Sequence, residues 1–228
     1  MLLCRAVFLQ AVPVNSSLIE LLKMRITSMV MFTAFLGYFL GSAGRDIDLM
    51  HLVITLLGIG MGSAGGAVLN NYFEINTDGL MDRTKSRPLP AGQMDPLLAL
   101  SYGVTLSLGG LLLLIQFINI KTAFLVLLAS FLYVWVYTPL KRMSWINTSV
   151  GAIPGAIPPL AGWAAATGQI SLQAVVLFLI LFFWQQPHFF AIAWMYKDDY
   201  EKGGMKMITS VDDDGRRTFS QIILLFSR

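Results

Sequence analysis

An all-α, polytopic transmembrane helical bundle is the fold this sequence predicts, on three observations. Of its 228 residues 56% are hydrophobic and only 13% charged, with a mean hydropathy of +0.67, a balance unlike that of soluble domains of this size. Six windows of about 18 or more mostly apolar residues occur, each long enough to cross roughly 30 Å of hydrocarbon. Lys and Arg gather in alternate connections, the asymmetry that sets membrane orientation.

Taken in order, residues 1–20 read as an N-terminal cytoplasmic segment. Arg5 interrupts it and no small-x-small cleavage site follows, so a cleaved signal is not expected. Lys23 and Arg25 stand before the first span, Ile26 to Ser42. Leu52 to Leu69, Leu97 to Ile118, Ala123 to Leu140, Val150 to Ala166 and Leu172 to Met195 are the next five. Pro154, Pro158 and Pro159 should distort the fifth. A further apolar run opens near Phe219 and reaches Arg228 before it could span, so the expectation is six full spans and part of a seventh, in one C-terminally shortened domain covering 1–228. The connections holding Arg45 and Lys121 should lie opposite the basic-rich ones, which places the loops 70–96 and 197–217 on the cytoplasmic side. This pattern makes the net charge of +3 a topology signal and excludes a nucleic-acid-binding role, which needs basic residues clustered in a folded soluble domain. The single Cys4 excludes an internal disulfide and a cysteine metal cluster.

The stretch "LNNYFEINTDGLMDRTKSRPLPAG", residues 69–92, interrupts this oily pattern. Gly58, Gly62, Gly66, Asn70, Glu74, Asp78 and Asp82 recur every four residues, each about 40° further round a helix than the last. One stripe therefore carries glycines within the membrane and oxygen ligands at its end. Tight helix packing is enough to account for the glycines. The carboxylates repel one another, a penalty that a divalent cation reverses, and carboxylates with an amide oxygen suit Mg²⁺. Arg83, Lys85 and Arg87 follow with the chemistry to grip phosphate. An ordinary solvated loop of mixed charge is the plainer alternative, against which stands a second acidic cluster, "MYKDDYEKGGMKMITSVDDDGRR", after the sixth span. Tyr72, Phe73, Phe189, Phe190 and Trp194 flank these clusters and suit either interface anchoring or cation-π contact. His51 reads as a loop residue, whereas His188 lies inside the sixth span after Pro187.

"NNYFEINTDGLMDRTKSRPLPAG" resembles the first signature of the intramembrane aromatic prenyltransferase superfamily, N-x-x-x-D-x-x-x-D with an R-T-x-x-R-P-L-P tail. Within it, "LLKMRITSMVMFTAFLGYFLG", "YTPLKRMSWINTSVGAIPGAIPPLAGWAAATG" and "WQQPHFFAIAWMYKDDYEKGG" are similar to the protoheme IX farnesyltransferases, or heme O synthases. Two positions depart: Glu74 stands for the usual first aspartate and Thr209 for a proline. The resemblance implies nine helices around a central cavity, and transfer of farnesyl from farnesyl diphosphate to a vinyl group of heme B to make heme O. It implies Mg²⁺ held by Asn70, Glu74 and Asp78, with Asp198 and Asp199 on the second side of the diphosphate. Arg83, Lys85, Arg87 and Lys197 would bind the diphosphate, and His188 would contact heme. The implied setting is a prokaryotic inner membrane, with association with heme-biosynthesis or terminal-oxidase assembly proteins. A sister enzyme acting on a quinone precursor is the nearer alternative. A transporter subunit is the remoter one, since transporters set ionisable groups at the midplane.

Overall fold

The computed structural model describes residues 14–210 together with 212, 215, 216, 218 and 220, and among them every regular element is a helix. α1 (Val14–Leu21) leads into α2 (Met24–Gly41), followed by α3 (Leu49–Phe73), its short continuation α4 (Ile75–Asp78) and α5 (Pro96–Phe117). α6 (Ile120–Phe131) passes through a π-helical stretch, Leu132–Tyr137, into α7 (Thr138–Met143). α8 (Asn147–Thr167), α9 (Leu172–Met195) and α10 (Lys197–Lys202) follow, and then a 3₁₀ turn, Ile208–Ser210. The apolar run from Phe219 lies outside the described residues.

Among the described residues five helices are long and apolar enough to cross a membrane: α2, α3, α5, the continuous α6 to α7 unit and α9. The chain is a multi-pass membrane protein. The fifth span expected from sequence is α8, whose 21 residues have the length but hold three prolines, Asn147 and Thr148. Ala152, Ala156, Ala161 and Ala164 on it are wholly buried. Protein rather than lipid surrounds this helix, so it needs less hydropathy than its neighbours. It also runs unbroken through Pro154, Pro158 and Pro159, so the expected distortion does not interrupt it. Gly37 of α2 lies directly on the Pro159 carbonyl and Gly162 of α8 on that of Ala34, contacts that any Cβ would forbid.

Helix starts are set by local chemistry. Asp48 accepts from the Met50 and His51 amides at 2.9 and 3.1 Å, and Asp95 accepts from Leu97 at 2.8 Å with Pro96 opening α5. Asn119 caps α6 through the Thr122 amide at 2.8 Å. These are the N-cap and first-turn residues that satisfy otherwise orphaned amides. His51 bonds Tyr38 Oη through Nδ1 at 2.9 Å, at the end of the bundle opposite the acidic stretch.

The glycine stripe is the hinge between fold and site. A Cβ on Gly58 would lie 2.6 Å from Leu114 of α5, and one on Gly62 would lie 2.5 Å from Val126 of α6. The drift of about 40° per four residues thus carries the stripe from α5 across to α6, and then at Asn70 to the π-helical stretch. That stretch has a local cause. Pro139 lacks an amide hydrogen and its ring collides with the carbonyl four residues back, so the preceding turn widens.

Candidate active site

Asn70 occupies the point where four elements meet. Its Oδ1 accepts from Lys23 Nζ at 2.8 Å and from Tyr133 Oη at 3.1 Å. Its amide donates to Glu74 Oε2 at 3.0 Å and Thr138 Oγ1 at 2.9 Å. The hydroxyl of Thr138 in turn donates to the Tyr133 carbonyl at 2.9 Å, inside the widened turn.

One turn on, Lys141 donates to Glu74 Oε1 at 2.8 Å, with side-chain exposures of 13% and 8%. Another turn on, Arg87 Nη1 meets Asp78 Oδ2 at 2.7 Å, where the carboxylate is 2% exposed. Thr84, fully buried, donates to the Asp78 carbonyl at 2.8 Å and folds the loop so that Arg87 returns to the helix end. The R-T-x-x-R spacing therefore has a mechanical reason: the threonine pins the turn and the second arginine closes it.

Lys23 stands between α1 and α2 at φ 48°, the one non-glycine residue with positive φ among the described residues. This left-handed conformation costs about 1–3 kcal/mol and delivers the ammonium to Asn70. Burial, reinforced by the cations of Arg87 and Lys141, holds its pKa down to about 7. Arg87 and Lys141 meet the carboxylates of Asp78 and Glu74, and Lys23 adds a further positive charge below about pH 7. A buried group with this excess calls for an anion.

The second acidic loop reaches the first. Asp199 accepts from the amides of Asp82 and Arg83 at 2.8 and 3.2 Å, while Asp82 is held by Lys85 and Lys202, both at 2.6 Å. These two lysines draw the Asp82 carboxyl down to about 2. Beneath them Met81 packs with Ala193, Met205 and Met207. Arg83 lies 5.0 Å from the Tyr196 ring centre and Lys197 lies 5.7 Å from that of Trp194. Asp198 is exposed beside them. His188 is also exposed, stacked on Trp184 at 5.4 Å, and makes no contact with this cluster in the hydrogen bonds above.

The structure thus gathers Asn70, Glu74, Asp78 and Arg87 into one buried group and joins Asp199, Arg83 and Lys85 to it through a second, exposed layer. Lys23, Lys141, Tyr133 and Thr138 enter the site without having been singled out. The two lysines stood in the sequence as part of the basic asymmetry of the loops, which reads equally as topology, and neither Tyr133 nor Thr138 carried a charge signal of its own. Of the flanking aromatics, Tyr72 packs edge-on against Phe73 and Phe73 against Trp135. The rings closest to the charges are instead Tyr133 and Tyr137, 5.8 Å apart, with Lys141 4.6 Å above Tyr137.

Among the described residues no three His, Cys, Asp or Glu side chains converge to hold a metal by themselves. A cation bound through Asn70, Glu74 or Asp78 would draw further oxygens from phosphate and water, which is how Mg²⁺ is commonly bound. The donor set fits that ion.

The UbiA prenyltransferase family matches residues 30–227. The chain belongs to the UbiA prenyltransferase family. Relatives of the chain include protoheme IX farnesyltransferases. The one from Solibacter usitatus is 43% identical, covering 90% of this chain and 73% of its own length. That of Christiangramia forsetii is 46% identical over 90% and 67%. The UbiA fold is evident too in the structure of a UbiA homolog from Archaeoglobus fulgidus bound to GPP and Mg²⁺, with a TM-score of 0.76, 19% identity and coverage of 92% of this chain and 74% of the other. A second, the apo UbiA homolog from Aeropyrum pernix K1, has a TM-score of 0.71 at 18% identity, covering 88% and 74%.

Proposed function

We propose that this UbiA-family protein transfers the farnesyl group of farnesyl diphosphate to a vinyl group of heme B, giving heme O. The supporting observation is the buried, cation-rich group around Asn70 in a chain whose relatives are named protoheme IX farnesyltransferases. In this reading Asn70, Glu74 and Asp78 hold Mg²⁺ on one side of the diphosphate, and Asp198 and Asp199 serve the other. Bound there, Mg²⁺ would supply Lewis-acid compensation for the negative charge of the departing diphosphate.

The chain's own side chains do the rest. Lys23, Lys141 and Arg87 exchange their present partners for diphosphate oxygens, with Arg83, Lys85 and Lys197 at the rim. Their charge is thus in place where negative charge grows. The allylic C–O bond breaks and its electron pair leaves with the diphosphate. The vinyl π electrons then form the new C–C bond, water adds its oxygen to the resulting cation, and one proton is released. Tyr133 and Tyr137 offer ring faces to the allylic cation. The basic-rich loops support a cytoplasmic side for the site, and the reading sets it in an inner membrane.

The test is direct. Membranes with the full-length protein, given heme B, farnesyl diphosphate and Mg²⁺, should yield a farnesylated heme by mass. A prenylated quinone precursor in parallel incubations, with no farnesylated heme, would refute the reading.

A further inference from the structure

A cavity of about 420 Å³ lies between the end of α3 and α7, bordered by Phe73, Glu74, Trp135, Pro139, Arg142 and Met143 among others. Its size is within the usual range for small-molecule sites. Resting on heme as the acceptor, we infer that this cavity seats the porphyrin, with Arg142 holding a carboxylate on its edge. Three features carry the assignment.

The wall is aromatic: the Phe73 and Trp135 rings are 5.3 Å apart, and both remain exposed, at 43% and 62%. Aromatics at the end of a span often serve only as interface anchors, but these two border a concave space rather than a convex surface. The rim is cationic. Arg142 is exposed, and among the described residues no acceptor engages its guanidinium, whereas the adjacent Lys141 is committed to Glu74. A planar guanidinium matches a carboxylate by paired hydrogen bonds. The Glu74 and Lys141 pair also lines the cavity. An acceptor seated here therefore abuts the group assigned to the diphosphate.

An apolar ring system with carboxylates along one edge complements an aromatic wall with an exposed arginine beside it. His188 does not border this cavity, so recognition here works through the ring face and the carboxylate edge, without an iron ligand from α9.

The experiment uses the full-length protein in phosphatidylcholine nanodiscs, titrated with ferric protoporphyrin IX by Soret absorbance. Arg142→Gln should weaken binding roughly tenfold or more, the loss expected of a charge-assisted hydrogen bond, with partial rescue by Arg142→Lys. In turnover, KM for heme should rise while KM for farnesyl diphosphate holds. The dimethyl ester of protoporphyrin IX iron, lacking free carboxylates, should bind wild type and Arg142→Gln alike. Farnesylated heme from wild type, with no heme-affinity difference in Arg142→Gln, would overturn the cavity assignment and leave the function standing. No farnesylated heme from wild type would overturn both. Heme binding lost in His188→Ala but kept in Arg142→Gln would put the porphyrin on α9 and also overturn it. An effect of Arg142→Gln on phosphatidylglycerol affinity alone would make the cavity a lipid site instead.

Discussion

Asn70 can lie between Lys23 and Glu74 because an amide is uncharged and presents an acceptor to the cation and donors to the anion. It keeps the carboxylates and ammoniums of the site in register without adding charge. Removing a charge nearby should be far less benign. Asp78→Asn should lower kcat by about 10²-fold or more, in line with the loss of transition-state charge stabilisation, while circular dichroism and membrane insertion remain those of wild type. Lys23→Met should weaken farnesyl diphosphate binding, by calorimetry, about tenfold or more. It should also raise Tm in detergent without substrate, because it removes a buried ammonium whose pKa is already held down to about 7. A lower Tm would show that the contact with Asn70 outweighs burial. The stripe of Asn70, Glu74 and Asp78 was legible in the sequence because helical spacing alone puts it on one side. Lys23 was not, since its place depends on a left-handed residue between two helices.

Elements carry the next level of constraint. The π-helical stretch before Pro139 turns Tyr133 and Thr138 toward Asn70, so the proline acts on the site from outside it. Pro139→Ala should let the turn tighten and carry Tyr133 away. Its effect on turnover should then overlap with that of Tyr133→Phe, and the double variant should lose less than the sum of the singles; strict additivity would separate the two. At the other loop, Asp82 ties Lys85 of its own loop to Lys202 of α10. Its carboxyl is drawn to about 2 from an ordinary 3.8. A depressed carboxylate contributes fully above the unfolded value and loses that contribution as pH falls through the folded one. The pairing should therefore hold from neutrality to about pH 4 and fail toward pH 2. Hydrogen exchange of the α10 amides across that range should show this, and Asp82→Asn should remove the dependence.

Across the whole molecule, the bundle and the site share one stripe. Gly62 meets Val126 of α6 two turns before Asn70 meets the π-helical stretch, so helix spacing in the membrane sets the position of the amide at its end. Gly62→Val should force α3 and α6 apart at a cost of about 1–3 kcal/mol, read as a lower Tm. It should also reduce turnover although no atom of the site is altered; unchanged kinetics would show that the charged end is positioned independently. The alternating spans were readable because hydropathy is a local property. The fifth window, α8, was found by the same rule, but its enclosure by protein follows from packing by α2, α6 and α9.

The sequence alone determined the long apolar helices and the line of oxygen ligands at the end of the second span, because each depends on residues within a few turns of one another. The tertiary structure alone decided which cations answer those oxygens. Lys23 and Asn70 are 47 positions apart and Lys141 and Glu74 are 67, and such pairs meet only through helix crossings that no local spacing encodes.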